Sequence, residues 1–261
     1  MVKVKKSYKE MKINRVGETN YNIHGDLMKI IEYTTNKNIV VEFQDDYHAT
    51  VKTRYKFFIE GTVRNPYSKS MYGVAVVGNK YSSHTKEYVA WSNILTRCFD
   101  EEYKTKYPTY QDAICCDEWL LFENFYEWLH SQENFDKWFN GDRWNVDKDI
   151  LVKGNKVYSP ETCCLVPNNV NKLFTKNDSC RGNLPIGVII KDDSFYVSCS
   201  NPFTKKQKFL GYCDTSEKGF LLYKKHKESY IKQVAEKEYQ IGNITKRCYD
   251  AMMKYEVEIT D

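Results

Sequence analysis

Over the first eighty residues, apolar and polar side chains alternate in short runs broken by turn formers. The runs "MKIIEYT" from Met28, "NIVVEFQ" from Asn38 and "TRYKFFIEGTV" from Thr53 are rich in β-branched and aromatic residues. His24-Gly25-Asp26, Asn36-Lys37-Asn38 and Asp45-Asp46 punctuate them, and Asn65-Pro66 precedes a further run, "GVAVVG". A period of two residues marks a half-buried strand, because successive strand side chains point to opposite faces. Strands this short and closely spaced predict a small, strongly bent sheet or SH3-like barrel over residues 1–83. That architecture serves protein-interaction modules and nucleic-acid modules alike.

The period then changes. Tyr88, Trp91, Leu95 and Cys98 recur at helical spacing, and "DEWLLFENFYEWL" from Asp117 sets Trp119, Phe122, Phe125 or Tyr126, and Leu129 on one helical face. Aromatic stripes of this kind predict core. From Trp144 the chain reads as a strand, turns at Gly154-Asn155 and Ser159-Pro160, a second strand, and a helix beginning at Asn168, Asn169 and Asn171. A polar connector, "TKNDSCRGN", separates this hairpin from "PIGVII", "SFYVSCS" and "KKQKFLGYC", three further strands with turns at Asp192-Asp193 and Asn201-Pro202. Asp214, with Glu217 three residues on, predicts a helix cap. The helix after it buries Phe220, Tyr223, Tyr230, Ile231 and Val234, and "ITKRCYDAMMKY" predicts another short one. The fold class is therefore α+β, organised as residues 1–83, 84–176 and 177–261.

Charge sharpens this division. Residues 1–83 carry 14 Lys/Arg against 8 Asp/Glu, residues 84–176 carry 11 against 15, and residues 177–261 carry 14 against 12. Basic ends suit a polyanion, and an acidic middle suits metal binding or plain solvation. The 21 Tyr, 13 Phe and 5 Trp exceed what a core of this size requires and leave rings available for stacking on a surface. Nine cysteines, two pairs of them adjacent, make a poor disulfide framework, and no C-x-x-C spacing occurs; reduced thiols are expected. Cys115, Cys116, Cys163 and Cys164 are the set that would meet around a metal if any cysteines do. No apolar run approaches the roughly 18 residues of a membrane span, and the Lys-rich start lacks a following apolar stretch, so no membrane partner and a cytoplasmic location are expected.

Two resemblances follow from particular motifs. "GV" at 187–188, "FYVSCS", and "FLGYCDTSEKGFLLYKK" from Phe209, in the order three strands then one helix, resemble an AP2-type DNA-binding domain. The resemblance implies a sheet laid in the major groove with the helix behind it. If Phe195, Val197 and Cys199 pack on the helix, Tyr196, Ser198 and Ser200 face outward. The implied DNA contacts are Arg181, Lys191, Tyr196, Ser198, Lys205, Lys206 and Lys208. The arginines and tryptophan usual on these strands are absent, which leaves phosphate contacts and some stacking with few bidentate base readers.

"YVAWSNILTRCFDEEY", "YQDAICCDEWLLFENFYEWL" and "VDKDILVKGNKVYSPETCCLVPNNVN" resemble the HNH endonuclease-like module that phage and prophage proteins join to such AP2-like domains. The resemblance implies a ββα-metal arrangement. In it, a histidine ending the first strand activates water, a helix residue and a neighbouring acid hold one divalent ion, and a central asparagine orients the histidine. Here the triplet is Asp147-Lys148-Asp149, with lysine in the histidine position, and the central asparagine position falls near Thr162. A lysine at its ordinary pKa of about 10.4 is protonated at pH 7 and takes no proton. The implied catalytic positions are Asp147, Lys148 and Asp149, and the implied ligands for Mg²⁺ or Mn²⁺, if the site is active, are Asp149, Asn168 and Asn171. His84 and His130 are the histidines this segment offers instead. The expectation is a phage-type DNA-binding protein in a bacterial host cell, on a degenerate HNH framework that does not cut. Alternatives are an active metal-dependent endonuclease, and an inhibitor or regulator that binds a host protein.

Overall fold

A computed structural model describes residues 14–175 and 184–259, so Arg181 lies outside the described residues. The chain divides into two compact units, Met1–Lys80 and Tyr81–Asp261.

In the first unit, β1 (Thr19–Tyr21), β2 (Leu27–Thr35), β3 (Asn38–Phe43) and β4 (Thr50–Thr53) form an antiparallel meander in the order β1-β2-β3-β4. Alternation works as expected: Met28 and Ile30 from β2 and Ile39, Val41 and Phe43 from β3 share one buried face, closed by Phe58 and Val63. Among the described residues β1 and β4 do not pair, so the sheet is open and the barrel expected here is not formed. The reason lies in the run from Thr53. Tyr55–Ile59 is a single helical turn, α1, not a strand. Its i,i+3 spacing brings Phe58 into the core beside Tyr55, with ring centroids 6.0 Å apart. Tyr55 is held there by Arg15 Nη1 at 2.7 Å and by its own hydroxyl donating to Glu18 Oε2 at 2.9 Å. "GVAVVG" contributes one isolated bridge, Met71 to Ala75.

The second unit opens with α2 (Lys86–Phe99), capped by the Thr85 side chain accepting from Tyr88 N, and α3 (Glu101–Lys106). The aromatic stripe after Asp117 splits into a tight turn over Asp117–Leu120 and α4 (Phe122–His130), yet Trp91, Trp119, Phe122, Phe125 and Leu129 are all fully buried. A short α5 (Phe135–Asn140) leads to β6 (Trp144–Asp147). β6 pairs antiparallel with β8 (Cys164–Pro167), and α6 (Asn168–Asn171) follows directly. The connection between β6 and β8 makes an excursion in which β7 (Val157–Tyr158) pairs parallel with β5 (Ile114–Cys115), anchoring the hairpin to the helical part.

The last part is β9 (Val188–Lys191), β10 (Ser194–Ser200) and β11 (Gln207–Cys213), an antiparallel sheet in the order β11-β10-β9, followed by α7 (Ser216–Gln240) and α8 (Lys246–Met253). Asp192 and Asp193, both at positive φ, make the first turn. The cap of α7 is Thr215, whose side chain accepts from Lys218 N. Asp214, expected in that role, is one residue too early and its carboxylate meets Lys218 Nζ at 3.2 Å instead. One hydrophobic cluster joins Ile150, Cys164, Val166 and Val170 of the hairpin region to Val197 and Cys199 of β10 and to Phe220, Ile231 and Val234 of α7. The second unit thus has a shared core on both sides of residues 176 and 177.

Gly187 shows how tightly sheet and helix are joined. Its φ of +80° belongs to glycine, and a Cβ there would stand 2.0 Å from the Tyr223 ring. Gly187→Ala is expected to lower stability by about 2–4 kcal/mol through backbone strain plus overpacking. A urea midpoint equal to that of the parent chain would contradict this packing.

Candidate functional site

The hairpin's chemistry begins at the end of β6. Asp147, the last strand residue, turns its Oδ1 back to accept from Asp149 N at 2.8 Å and Ile150 N at 2.9 Å. This side-chain turn ends the strand, so Asp149 lies beyond it and the two acids do not share a strand face as simple alternation would have it. Burial pushes the Asp147 carboxyl above its ordinary value, opposed by the two backbone N–H groups.

Lys148 is 6% exposed. Its Nζ donates to both carboxylate oxygens of Asp149 and to the Asn155 carbonyl, each at 2.8 Å. Three N–H groups meet three acceptors, so the ammonium is fully satisfied. The Tyr158 ring lies 5.7 Å away and adds to the cation's surroundings. Asn155 closes the arrangement, donating from Nδ2 to Lys148 O at 2.9 Å and Val157 O at 2.7 Å. In the sequence Asn155 reads only as a turn residue beside Gly154, yet here it ties the two ends of the connection together. Thr162, at the expected position of the central asparagine, donates its hydroxyl to Val157 O at 2.6 Å and contacts Ser159 Oγ at 3.0 Å.

Asp147, Lys148, Asp149 and Tyr158 line a cavity of about 700 Å³ together with Arg97, Tyr110, Lys153, Lys156, Asn171, Phe174, Tyr255 and Glu258. Of the expected ligand asparagines, Asn171 lines it. Asn168 is not among the described lining residues, and Asn169 is used elsewhere, donating to the buried Glu238 of α7 at 2.8 Å. Glu238 also accepts from Asn243 at 2.7 Å, which braces α6 against the end of α7. No histidine is among the described lining residues. His130 sits on α4 with Nε2 3.0 Å from Glu87 Oε1, its ring between Tyr126 and Phe135.

Among the described residues no group of three or more His, Cys, Asp or Glu is placed to hold a metal ion. The eight described cysteines are free thiols. Burial pushes Cys98 up to about 12 and drives Cys115 and Cys163 upward too.

The other candidate surface is the sheet face opposite α7. Val188, Val197 and Cys199 are buried toward the helix. On the far face the Tyr196 and Phe209 rings stack with centroids 4.8 Å apart, and Tyr212 meets both edge-on at 5.7 and 5.3 Å. Lys191 Nζ lies 5.7 Å from the Tyr196 centroid, and Lys205 and Lys206 are exposed in the β10–β11 turn. Ser198, opposite Phe209, shares this face. Lys208 does not: it stands opposite the buried Cys199, and cross-strand partners share a face, so its side chain leaves on the helix side. The irregularity between Val197 and Ser198 shifts the parity of β11, which strict alternation could not show. Among the described residues no helix is long and apolar enough to cross a membrane.

No family model, curated protein or solved structure matches the chain.

Asp147 has a measurable signature. A carboxyl raised above its unfolded value, about 3.9, favours folding in the neutral form; that contribution is complete below the unfolded value and is lost as pH rises through the folded one. Asn keeps the accepting oxygen and never ionises. Asp147→Asn is therefore expected to melt a few degrees above the parent chain at pH 7, with the gap closing toward pH 3. A variant that melts lower at pH 7 would show the charged form to be the one the fold stabilises.

Proposed function

We propose that this chain is a DNA-binding protein of the phage type, built on a degenerate HNH-like ββα frame with an AP2-like sheet and helix, and that it does not cleave its ligand. The observation that carries the reading is the open sheet face. Three rings, Tyr196, Phe209 and Tyr212, form one contiguous cluster with Lys191 beside it, and Lys205 and Lys206 are exposed in the adjoining β10–β11 turn. Rings offer π-faces to any base and ammonium groups meet phosphates, so the face suits sequence-tolerant binding in which unpaired bases stack. Apart from Gln207, opposite Ser200 on this face, the three strands carry no Arg, Asn or Gln to read a base edge, which fits low sequence specificity.

The hairpin supports the non-cleaving half of the reading. A Mg²⁺ or Mn²⁺ ion needs several oxygen ligands with open lone pairs. Both Asp149 oxygens accept from Lys148, one Asp147 oxygen accepts two backbone N–H groups, and a fixed ammonium repels a second cation. These residues do not fit a divalent ion as they stand, and the position of the general base holds a cation. An active metal-dependent endonuclease would require Lys148 to leave its three acceptors. A second reading, attachment to a host protein, draws on the same sheet: Ile189, Phe209 and Tyr212 are each about half exposed, more apolar surface than phosphate binding requires.

Replacing Lys191, Lys205 and Lys206 together by Ala is expected to weaken DNA binding and to flatten the log–log salt dependence by about 0.7 on single strands, or about 0.9 on duplex, for each phosphate no longer neutralised. Lys208→Ala should leave the slope unchanged. A triple variant with the parent slope would remove the sheet from the reading. Supercoiled plasmid should stay uncut with Mg²⁺ or Mn²⁺; nicking that requires the metal and vanishes in Asp149→Ala would establish the endonuclease alternative.

A further inference from the structure

The cavity beside the hairpin holds more positive charge than its own acids neutralise. Lys148 is matched by Asp149, and Lys153 Nζ lies 3.4 Å from Glu258 Oε2. Asp147 Oδ1 is taken by two backbone N–H groups. Two cations are left without a carboxylate partner. Arg97, partly buried on α2, donates from Nη1 to the Tyr158 hydroxyl at 3.2 Å, and its guanidinium carbon lies 5.3 Å from the Tyr110 ring centroid. Among the described residues no carboxylate is within ion-pair distance of it. Lys156, exposed at the cavity, also has no ion-pair partner among the described residues.

A guanidinium carries five N–H donors in a planar fork suited to phosphate, and a recessed one without an acid is costly unless an anion joins it. The remaining walls are aromatic: Tyr110, Phe174 and Tyr255, the last two meeting edge-on at 4.8 Å. A volume of about 700 Å³ falls within the roughly 300–1,000 Å³ of small-ligand sites. From this juxtaposition of Arg97, Lys156 and aromatic walls we infer that the cavity binds a phosphoryl group attached to a nucleoside, with no metal ion. Arg97 is the anchor, Lys156 the outer contact, and the base lies among the rings. The inference rests on the non-cleaving reading in one respect: Lys148 must remain a fixed cation, not yield its place to a metal.

The phosphoryl group could belong to a free nucleotide or to the end of a strand, and the test separates them. Adenosine 5′-monophosphate and adenosine are titrated calorimetrically into the full chain in EDTA, and short oligonucleotides with a 5′-phosphate or a 5′-hydroxyl are compared by anisotropy. The expected result is a preference of at least tenfold for the phosphorylated member of one pair. That preference should fall roughly ten- to hundredfold in Arg97→Gln and severalfold in Lys156→Ala, and should be unaffected by Lys205→Ala/Lys206→Ala. A preference in the first pair identifies a free nucleotide, and one confined to the oligonucleotides identifies a strand end. Equal binding of both members in both pairs overturns the inference, as does a preference that survives both cavity variants. Where Arg97→Gln does not fold, Lys156→Ala on the exposed rim decides. The salt slope of long DNA reports on the sheet separately, so the cavity can fail while the DNA-binding reading stands.

Discussion

The second unit's candidate chemistry depends on one buried cation. Lys148 is nearly inaccessible, and its ammonium is satisfied by the two oxygens of Asp149 and the carbonyl of Asn155. Burying a charge costs several kcal/mol unless it is paired and hydrogen-bonded, so those three acceptors are not optional. They set the direction of Asp149, require the connection to return at Asn155, and let the Asn155 amide tie both ends of the loop. Asp147 ends the strand with a side-chain turn that delivers Lys148 to this position. The frame is then pinned from outside by the parallel pairing of β7 with β5, and from below by Ile150 in the common core.

That core explains why the hairpin and the C-terminal sheet belong together. Val166 and Val170 pack in the same cluster as Val197 and Ile231, so the sheet's inner face, packed on α7, shares one core with the hairpin, while Phe209 and Tyr212 on its outer face are exposed. Glu238, buried on α7, takes hydrogen bonds from Asn169 and Asn243 and fixes α6 at its start. Asn169, between the two asparagines expected as metal ligands, is therefore a brace, and of that pair Asn171 lines the cavity. In the proposed reading, binding energy comes from rings and lysines on one face, and the hairpin contributes a positive, metal-free recess.

Much of this was legible in the residues, for physical reasons. Period-two and period-3.6 patterns located β2, β3, α2, α4, the C-terminal sheet and α7, because burial dominates where a whole face is apolar. The five residues named for the buried face of α7 are all buried. What failed was local. Tyr55–Ile59 has strand-like composition but folds as a helical turn, since Phe58 and Tyr55 reach the core only at i,i+3. A cap shifted from Asp214 to Thr215 because a hydroxyl one residue later reaches Lys218 N. Lys208 fell on the wrong face because an irregularity in pairing, invisible in sequence, reset the alternation. Asn155 and Arg97 carried no signal at all: one looks like any turn asparagine and the other like any helix arginine, and only tertiary placement distinguishes them.

In the proposed reading, the Lys148 ammonium holds the hairpin where a divalent ion would otherwise sit. The most direct test of this is anomalous diffraction from crystals grown with Mn²⁺ in excess over the protein. The account predicts no manganese peak between Asp149 and Asn171, with Lys148 in contact with both Asp149 oxygens. A peak at that position, with Lys148 swung out to solvent, would contradict it.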